Sequence, residues 1–104
     1  MDAQMKKGIL QMCILFQLKG EPLYGYEVMK SVTKVFPDVY EGSIYTILRR
    51  LNKAGYTSIT QKQSPNGPAR KYYYLTETGR EYLTQMIEEW RTVVKSVASF
   101  GITN

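Results

Sequence analysis

Residues 41–55 read EGSIYTILRRLNKAG, and the fold turns on this stretch. Ile44, Ile47, Leu48 and Leu51 recur at steps of three and four, which gathers them on one face of a helix. The helix is expected to begin around Glu41-Gly42-Ser43 with Ser43 as its N-cap, and Gly55 to close it as the residue just past its end. Arg49, Arg50 and Lys53 occupy the polar side, and Tyr45, Thr46 and Asn52 are expected to share that exposed surface. Tyr45 and Arg49 are one turn apart, so their side chains reach the same patch. A helix that is apolar behind and carries hydroxyl, amide and guanidinium groups in front has the chemistry to meet base edges and phosphates.

Upstream, Lys7 to Leu18 reads as a helix. Ile9, Met12, Cys13 and Phe16 fall at helical spacing, and Ile14, Leu15 and Leu18 widen the stripe until it nearly encircles the segment, so this helix is expected to be central and largely buried. Gly20-Glu21-Pro22 breaks it. A second helix follows Tyr24-Gly25-Tyr26, with Tyr26, Val28, Met29, Val32, Val35 and Phe36 as its apolar positions, and ends before Pro37. Two helices joined by a short turn, the second with a polar face, make a helix-turn-helix.

Downstream, the pattern changes to β. Tyr56 to Gln63 is rich in β-branched and polar residues, Ser64-Pro65-Asn66-Gly67-Pro68 is a turn signal, and Arg70-Lys71-Tyr72-Tyr73-Tyr74-Leu75 forms the return strand. The expected hairpin has a loop of about six residues. Strand alternation turns Tyr73 inward with Leu75. Lys62, Arg70 and Lys71 around the tip suit a wing that lays cations against phosphate or a minor groove. Thr76 is the expected N-cap of a last helix, along which Leu83, Met86, Trp90, Val93, Val97 and Phe100 form a heptad-like seam that calls for a partner helix.

The fold class is therefore mainly α with a small β-hairpin: a winged helix-turn-helix over residues 1–75 and a C-terminal dimerisation helix over 76–104. A chain of 104 residues buries only somewhat more than ~60% of its unfolded surface, which fits a fold completed by a second copy. Charge divides along the same line. Up to Leu75 there are eleven Lys and Arg against five Asp and Glu, a net of +6; beyond it there are three against four, a net of −1. The basic excess lies wholly on the three helices and the hairpin, which points to double-stranded DNA as the partner.

Absences narrow the function further. The chain has no histidine, which removes the commonest general base and metal ligand, and its one cysteine, Cys13, sits in an apolar run where thiols act as small hydrophobes. Neither a metal nor another cofactor is expected, and no set of residues satisfies the geometric roles of catalysis. The N-terminal apolar stretch is too short to span a membrane and lacks a cleavage site, so a cytoplasmic, non-enzymatic protein is expected. The rival class is a winged helix that serves only as a protein-interaction module.

Five blocks in order resemble the PadR family of bacterial transcriptional regulators. They are Lys7-Gly8; Leu23-Tyr24-Gly25-Tyr26-Glu27; Gly42-Ser43-Ile44-Tyr45 with Leu48-Arg49-Arg50-Leu51 and Gly55; Gly67-Pro68-Ala69-Arg70-Lys71-Tyr72-Tyr73; and Leu75-Thr76-Glu77-Thr78-Gly79-Arg80. The short tail resembles the smaller subfamily, with a single C-terminal helix. The resemblance implies a winged-helix homodimer whose last helix crosses to the other subunit, acting as a repressor that a small molecule or stress signal releases. It carries over a recognition helix with Ser43, Tyr45, Thr46, Arg49 and Arg50 and a wing with Arg70 and Lys71. Lys7, at the start of the first helix, and Tyr24 join these as candidate DNA contacts. The chain departs from the family pattern at Tyr24, where His is usual, at Thr46, where Pro is frequent, and at Asn52, where Glu is common.

Two further expectations concern the seam. Leu83, Met86, Trp90, Val93, Val97 and Phe100 form the dimer interface, and Met12, Phe16, Met86 and Trp90 line an apolar cavity at its centre for a planar or cationic hydrophobic effector. Two recognition helices related by a two-fold axis read a pseudo-palindromic operator.

Overall fold

The computed structural model describes residues 3–103 in the order α1 (Ala3–Gln17), β1 (Leu23–Tyr24), α2 (Gly25–Val35), α3 (Glu41–Lys53), β2 (Thr57–Ser64), β3 (Gly67–Leu75) and α4 (Glu77–Ala98). Met1 and Asn104, the outer ends of the two expected domains, lie outside the described residues. The apolar face of α3 is buried as its spacing requires, with Ile44, Ile47, Leu48 and Leu51 packed against Val28, Met29 and Val32 of α2 and Leu10, Ile14, Leu15 and Leu18 of α1. Tyr73 and Leu75 close this core from the sheet, the inward pair that alternation selects.

Helix α1 is not buried all round. Its Leu10, Ile14, Leu15 and Leu18 face the core, Ile9, Met12 and Cys13 are half-buried, and Phe16 is exposed. The reason is packing: one side meets α2 and α3, whereas the other runs beside α4, which covers it only in part. The Cys13 thiol is thus half-buried, and its burial pushes its pKa up, keeping it protonated at neutral pH. Val35, at the end of the α2 stripe, is likewise exposed.

At the start of α3 the N-cap is Tyr40, in extended conformation and without a side-chain cap bond, so Ser43 lies inside the first turn, not before it. The other end follows expectation. Gly55 adopts φ 88°, its N–H donates to the Asn52 carbonyl at 3.0 Å and the Tyr56 N–H donates to the Leu51 carbonyl at 3.0 Å, the paired bonds of a Schellman stop.

The sheet has three strands in the order β1-β3-β2, all antiparallel. Strand β1, which sequence reasoning did not find, pairs Leu23 with Tyr73 and Tyr24 with Tyr72. The hairpin loop is two residues, Pro65-Asn66, and not six. Of the expected turn Ser64-Pro65-Asn66-Gly67-Pro68, Ser64 ends β2 and Gly67 and Pro68 begin β3, beside an irregularity between Lys62 and Ser64 where a strand tolerates a proline.

Helix α4 is fastened at its start and free at its end. The Thr76 hydroxyl accepts from the Gly79 N–H at 3.0 Å and donates to the Gly55 carbonyl at 2.7 Å, so one side chain caps α4 and ties it to the end of α3. Leu83 is 3% exposed and belongs to the core of its own chain. From Trp90 onward the apolar side chains are open to solvent.

Candidate nucleic-acid interface

The α2–α3 pair presents α3 outward. Thr46 and Arg49 are exposed on successive turns and linked: the Thr46 hydroxyl donates to the Gly42 carbonyl at 2.9 Å and accepts from Arg49 Nη2 at 3.3 Å. The guanidinium is held at the helix surface, with no other hydrogen-bond partner among the described residues. Ser43 is exposed on the same side.

Arg50 sits differently. It is half-buried, and its Nη2 is shielded from solvent without a hydrogen-bond partner among the described residues. An unpaired buried donor of this kind costs roughly 1–3 kcal/mol until an acceptor arrives. It borders a groove of about 640 Å³ between α1 and α3, whose walls also carry Lys6, Lys7, Ser43, Thr46 and Arg49. None of these cations has an ion-pair partner among the described residues. Tyr40 lines the groove too, a residue that the sequence pattern does not single out. Its ring lies across Gly42, where a Cβ would fall 2.5 Å from Tyr40 Cε2, so the glycine makes room for it.

Two residues expected on the exposed face are partly withdrawn from it. Tyr45 is half-buried against the core, its ring beside Gly25; burial first, then Tyr24 and Glu41, pushes its phenol above the ordinary value, so it remains a neutral donor. Asn52 is half-buried and donates to the Thr57 carbonyl at 3.1 Å, joining the last turn of α3 to β2. A polar residue at that helical position reads as solvated until β2 is placed beside it.

The wing cations lie on opposite faces of β3. Cross-strand partners share a face, and Lys62 pairs with Arg70 while Gln61 pairs with Lys71. Lys62 therefore accompanies Arg70, whereas Lys71 shares the face of Tyr73. A cleft of about 530 Å³ separates the wing from the helices, with Tyr45, Tyr73, Arg70 and Lys71 among its walls. Tyr24 stands at the junction, within ring contact of Tyr26 and Tyr72.

The expected effector residues do not line one cavity in the single chain. Met12, Phe16 and Trp90 border a groove of about 460 Å³ with Cys13, Ile87 and Arg91. Met12, Met86 and Trp90 border a second, of about 310 Å³. Met12 and Trp90 form the wall between them. Of the six seam residues, Leu83 is buried in its own chain and Met86 is half-buried against that core, while Trp90, Val93 and Val97 are 43%, 52% and 38% exposed; Phe100, 88% exposed, is not on the helix, which ends at Ala98 with Ser99 as its C-cap. The leading part of the seam thus belongs to the core of the single chain, because α4 must first pack on the body that it extends from.

Three helices, a three-stranded wing and an outward-facing α3 beside a groove lined by Lys6, Lys7, Arg49 and Arg50 define a winged helix-turn-helix protein. The match is more particular. Residues 14–85 fit the model of the transcriptional regulator PadR-like family, and the chain belongs to that family. A PadR-like transcriptional regulator of Bacillus cereus is similar over 98% of this chain and 100% of its own, with 39% identity and a TM-score of 0.84. A PadR-like transcription factor of Bacteroides fragilis covers 94% and 95%, with 33% identity and 0.80. A Streptococcus transcriptional regulator at 28% identity covers 97% and 100%, with 0.87. The chain is thus a transcriptional regulator by family, and these neighbours are regulators, not enzymes. Among the described residues no helix is long and apolar enough to cross a membrane.

Proposed function

We propose that the chain is a sequence-specific, ligand-responsive repressor of the bacterial cytoplasm that binds a pseudo-palindromic operator as a homodimer. Residues 1–75 are its DNA-binding unit and 76–104 its dimerisation helix. The observation that carries this reading is the α1–α3 groove. Lys6, Lys7, Arg49 and Arg50 converge there without ion-pair partners among the described residues, around an Arg50 nitrogen that lacks an acceptor. A backbone phosphate supplies that acceptor. With the phosphate seated by Arg50, Lys6 and Lys7, the exposed Arg49, Thr46 and Ser43 meet base edges in the major groove, Tyr45 offers its neutral phenol, and Arg70 and Lys71 follow the flanking backbone.

Dimerisation is supported by the open apolar side chains of α4. Trp90, Val93 and Val97 step along one side of α4, with Phe100 in the turn just past its end, and a monomer leaves this surface wet where a second α4 would cover it. Selection from a random duplex pool tests the whole. The recovered duplexes are expected to share a pseudo-palindrome with half-sites about one or two turns apart, at ~34 Å per turn, each duplex holding two chains. A pool that shows no enrichment while the protein remains a stable dimer would leave the interaction-module reading.

Release comes from an effector beside Trp90. A planar or cationic hydrophobic molecule stacks on the indole between the Met12–Phe16 groove and Met86, and shifts the angle between the two winged domains by binding one arrangement better than the other. Titration of an aromatic cation is expected to quench or shift Trp90 emission and weaken operator binding together. Unchanged emission with unchanged affinity counts against it.

A further inference from the structure

Lys62 and Arg70 are directly opposed across β2 and β3, an arrangement in which like charges destabilise a sheet. Neither has an acidic partner among the described residues. Each instead sits over its own tyrosine ring: Lys62 Nζ is 4.5 Å from the centroid of Tyr72, and the Arg70 guanidinium carbon is 5.0 Å from that of Tyr24. The two rings are themselves in contact, with centroids 5.8 Å apart, because β1–β3 pairing sets Tyr24 opposite Tyr72 on the same face. Tyr24 is also the residue that opens α2, and its N–H donates to Glu27 Oε1 at 3.1 Å in the first turn of that helix. One side chain therefore belongs to both the helix-turn-helix and the wing.

We propose that Tyr24 is a positioning residue for DNA binding: its ring, in contact with Tyr72, seats Arg70 so that the wing keeps two unpaired positive charges at a fixed place relative to α2 and α3. The energetic logic is substitution. A carboxylate would relieve the Lys62–Arg70 repulsion equally well, but it would neutralise the charge that a phosphate needs, whereas a ring face attracts a cation and leaves its charge intact. Held in this way, Arg70 meets the backbone without first losing its side-chain freedom, a cost that weakens contacts made by free surface arginines. The ring acts through Arg70, so its effect on DNA binding exists only while Arg70 is present.

This inference rests on the DNA-binding reading, and a double-mutant cycle separates the two. DNA affinity and its salt slope are measured for the full chain with Tyr24→Val, Tyr24→Phe, Arg70→Ala and the Val–Ala double variant, alongside the unfolding midpoint of each. Valine is chosen because it keeps β1 extended without a ring. Tyr24→Val is expected to weaken binding about two- to fivefold per wing, the range that an exposed cation–π contact supports, and Tyr24→Phe to restore most of it. Arg70→Ala lowers the salt slope by about one per wing. Adding Tyr24→Val to it is expected to cost nothing further. An undiminished loss in the double variant overturns the positioning role, since Tyr24 would then act on DNA without Arg70. An Arg70→Ala variant that binds as well as the parent overturns the wing reading and this inference with it. If the valine variant does not fold, the same cycle with Tyr24→Leu decides.

Discussion

Gly79→Ala is expected to destabilise the protein by about 2–4 kcal/mol, out of roughly 5–15 for a domain of this kind, although helix propensity alone predicts a gain of ~1 kcal/mol. A Cβ at Gly79 would overlap the Tyr56 carbonyl oxygen, backbone that cannot step aside as a flexible side chain can. That oxygen also accepts from the Thr76 N–H at 3.1 Å, and beside it the Thr76 hydroxyl donates to the Gly55 carbonyl at 2.7 Å. Admitting a methyl group therefore means lifting α4 off the end of α3, which opens these bonds together with the Tyr56–Tyr82 ring stack, whose centroids are 4.1 Å apart and nearly parallel. Two hydrogen bonds at about 1 kcal/mol each and the overpacking term exceed the propensity gain. Thermal or denaturant unfolding checks the sign directly. A variant more stable than the parent would mean that α4 does not rest on Tyr56 in solution.

The same junction bears on function. Thr76 and Gly79 fix the direction in which α4 leaves the body, and its exposed Trp90–Val97 stretch is what a second chain would grip in the proposed dimer. Any dimer built on that stretch transmits the placement of one α3 to the other through this fastening. A loosened start of α4 would be felt as poorer spacing of the two recognition helices as well as lower stability.

Local chemistry was the part of the fold most open to reading from sequence. The apolar face of α3, the Gly55 stop and the Thr76 cap each depend on residues within one or two turns, and all three are as the spacing requires. Features that depend on a distant partner were not readable. Strand β1 is two residues long and exists because Leu23 and Tyr24 meet Tyr73 and Tyr72; nothing within it distinguishes it from a turn. Asn52 is polar on a polar face, and only the nearby Thr57 carbonyl makes it structural. The alternation of Arg70 and Lys71 was present in the sequence, but the companions of each required the β2–β3 register. Ser43 misled for a different reason. A good capping residue three positions into a helix looks like its start when the real N-cap, Tyr40, uses no side-chain bond. At the candidate interface, residue types and the α3 face were legible; Tyr40, the buried Arg50 nitrogen and the Tyr24–Arg70 contact were not.

Arg49→Ala is expected to reduce operator preference selectively while leaving most non-specific affinity in place. Arg49 is exposed, and the Thr46 hydroxyl holds its Nη2 with a proton already committed to the Gly42 carbonyl, so the hydroxyl can only accept from the arginine. The guanidinium is thereby oriented with donors to spare, the state from which a bidentate contact to guanine O6 and N7 forms at least cost in side-chain freedom. Such a contact discriminates by about 1–3 kcal/mol, and in the proposed dimer two symmetric half-sites would double it to about 2–6 kcal/mol. Lys71→Ala serves as the contrast: as a phosphate contact it is expected to weaken cognate and random duplexes alike and to lower the salt slope by about one per subunit. Arg49→Lys keeps the charge but not the fork, so it is expected to resemble alanine in preference while retaining more affinity at low salt. Competition titrations of cognate against random duplex, repeated across salt concentrations, distinguish these outcomes. If Arg49→Ala loses affinity equally on both duplexes, the arginine is a phosphate contact, and sequence must be read by other groups on the face, Ser43, Tyr45 or Thr46.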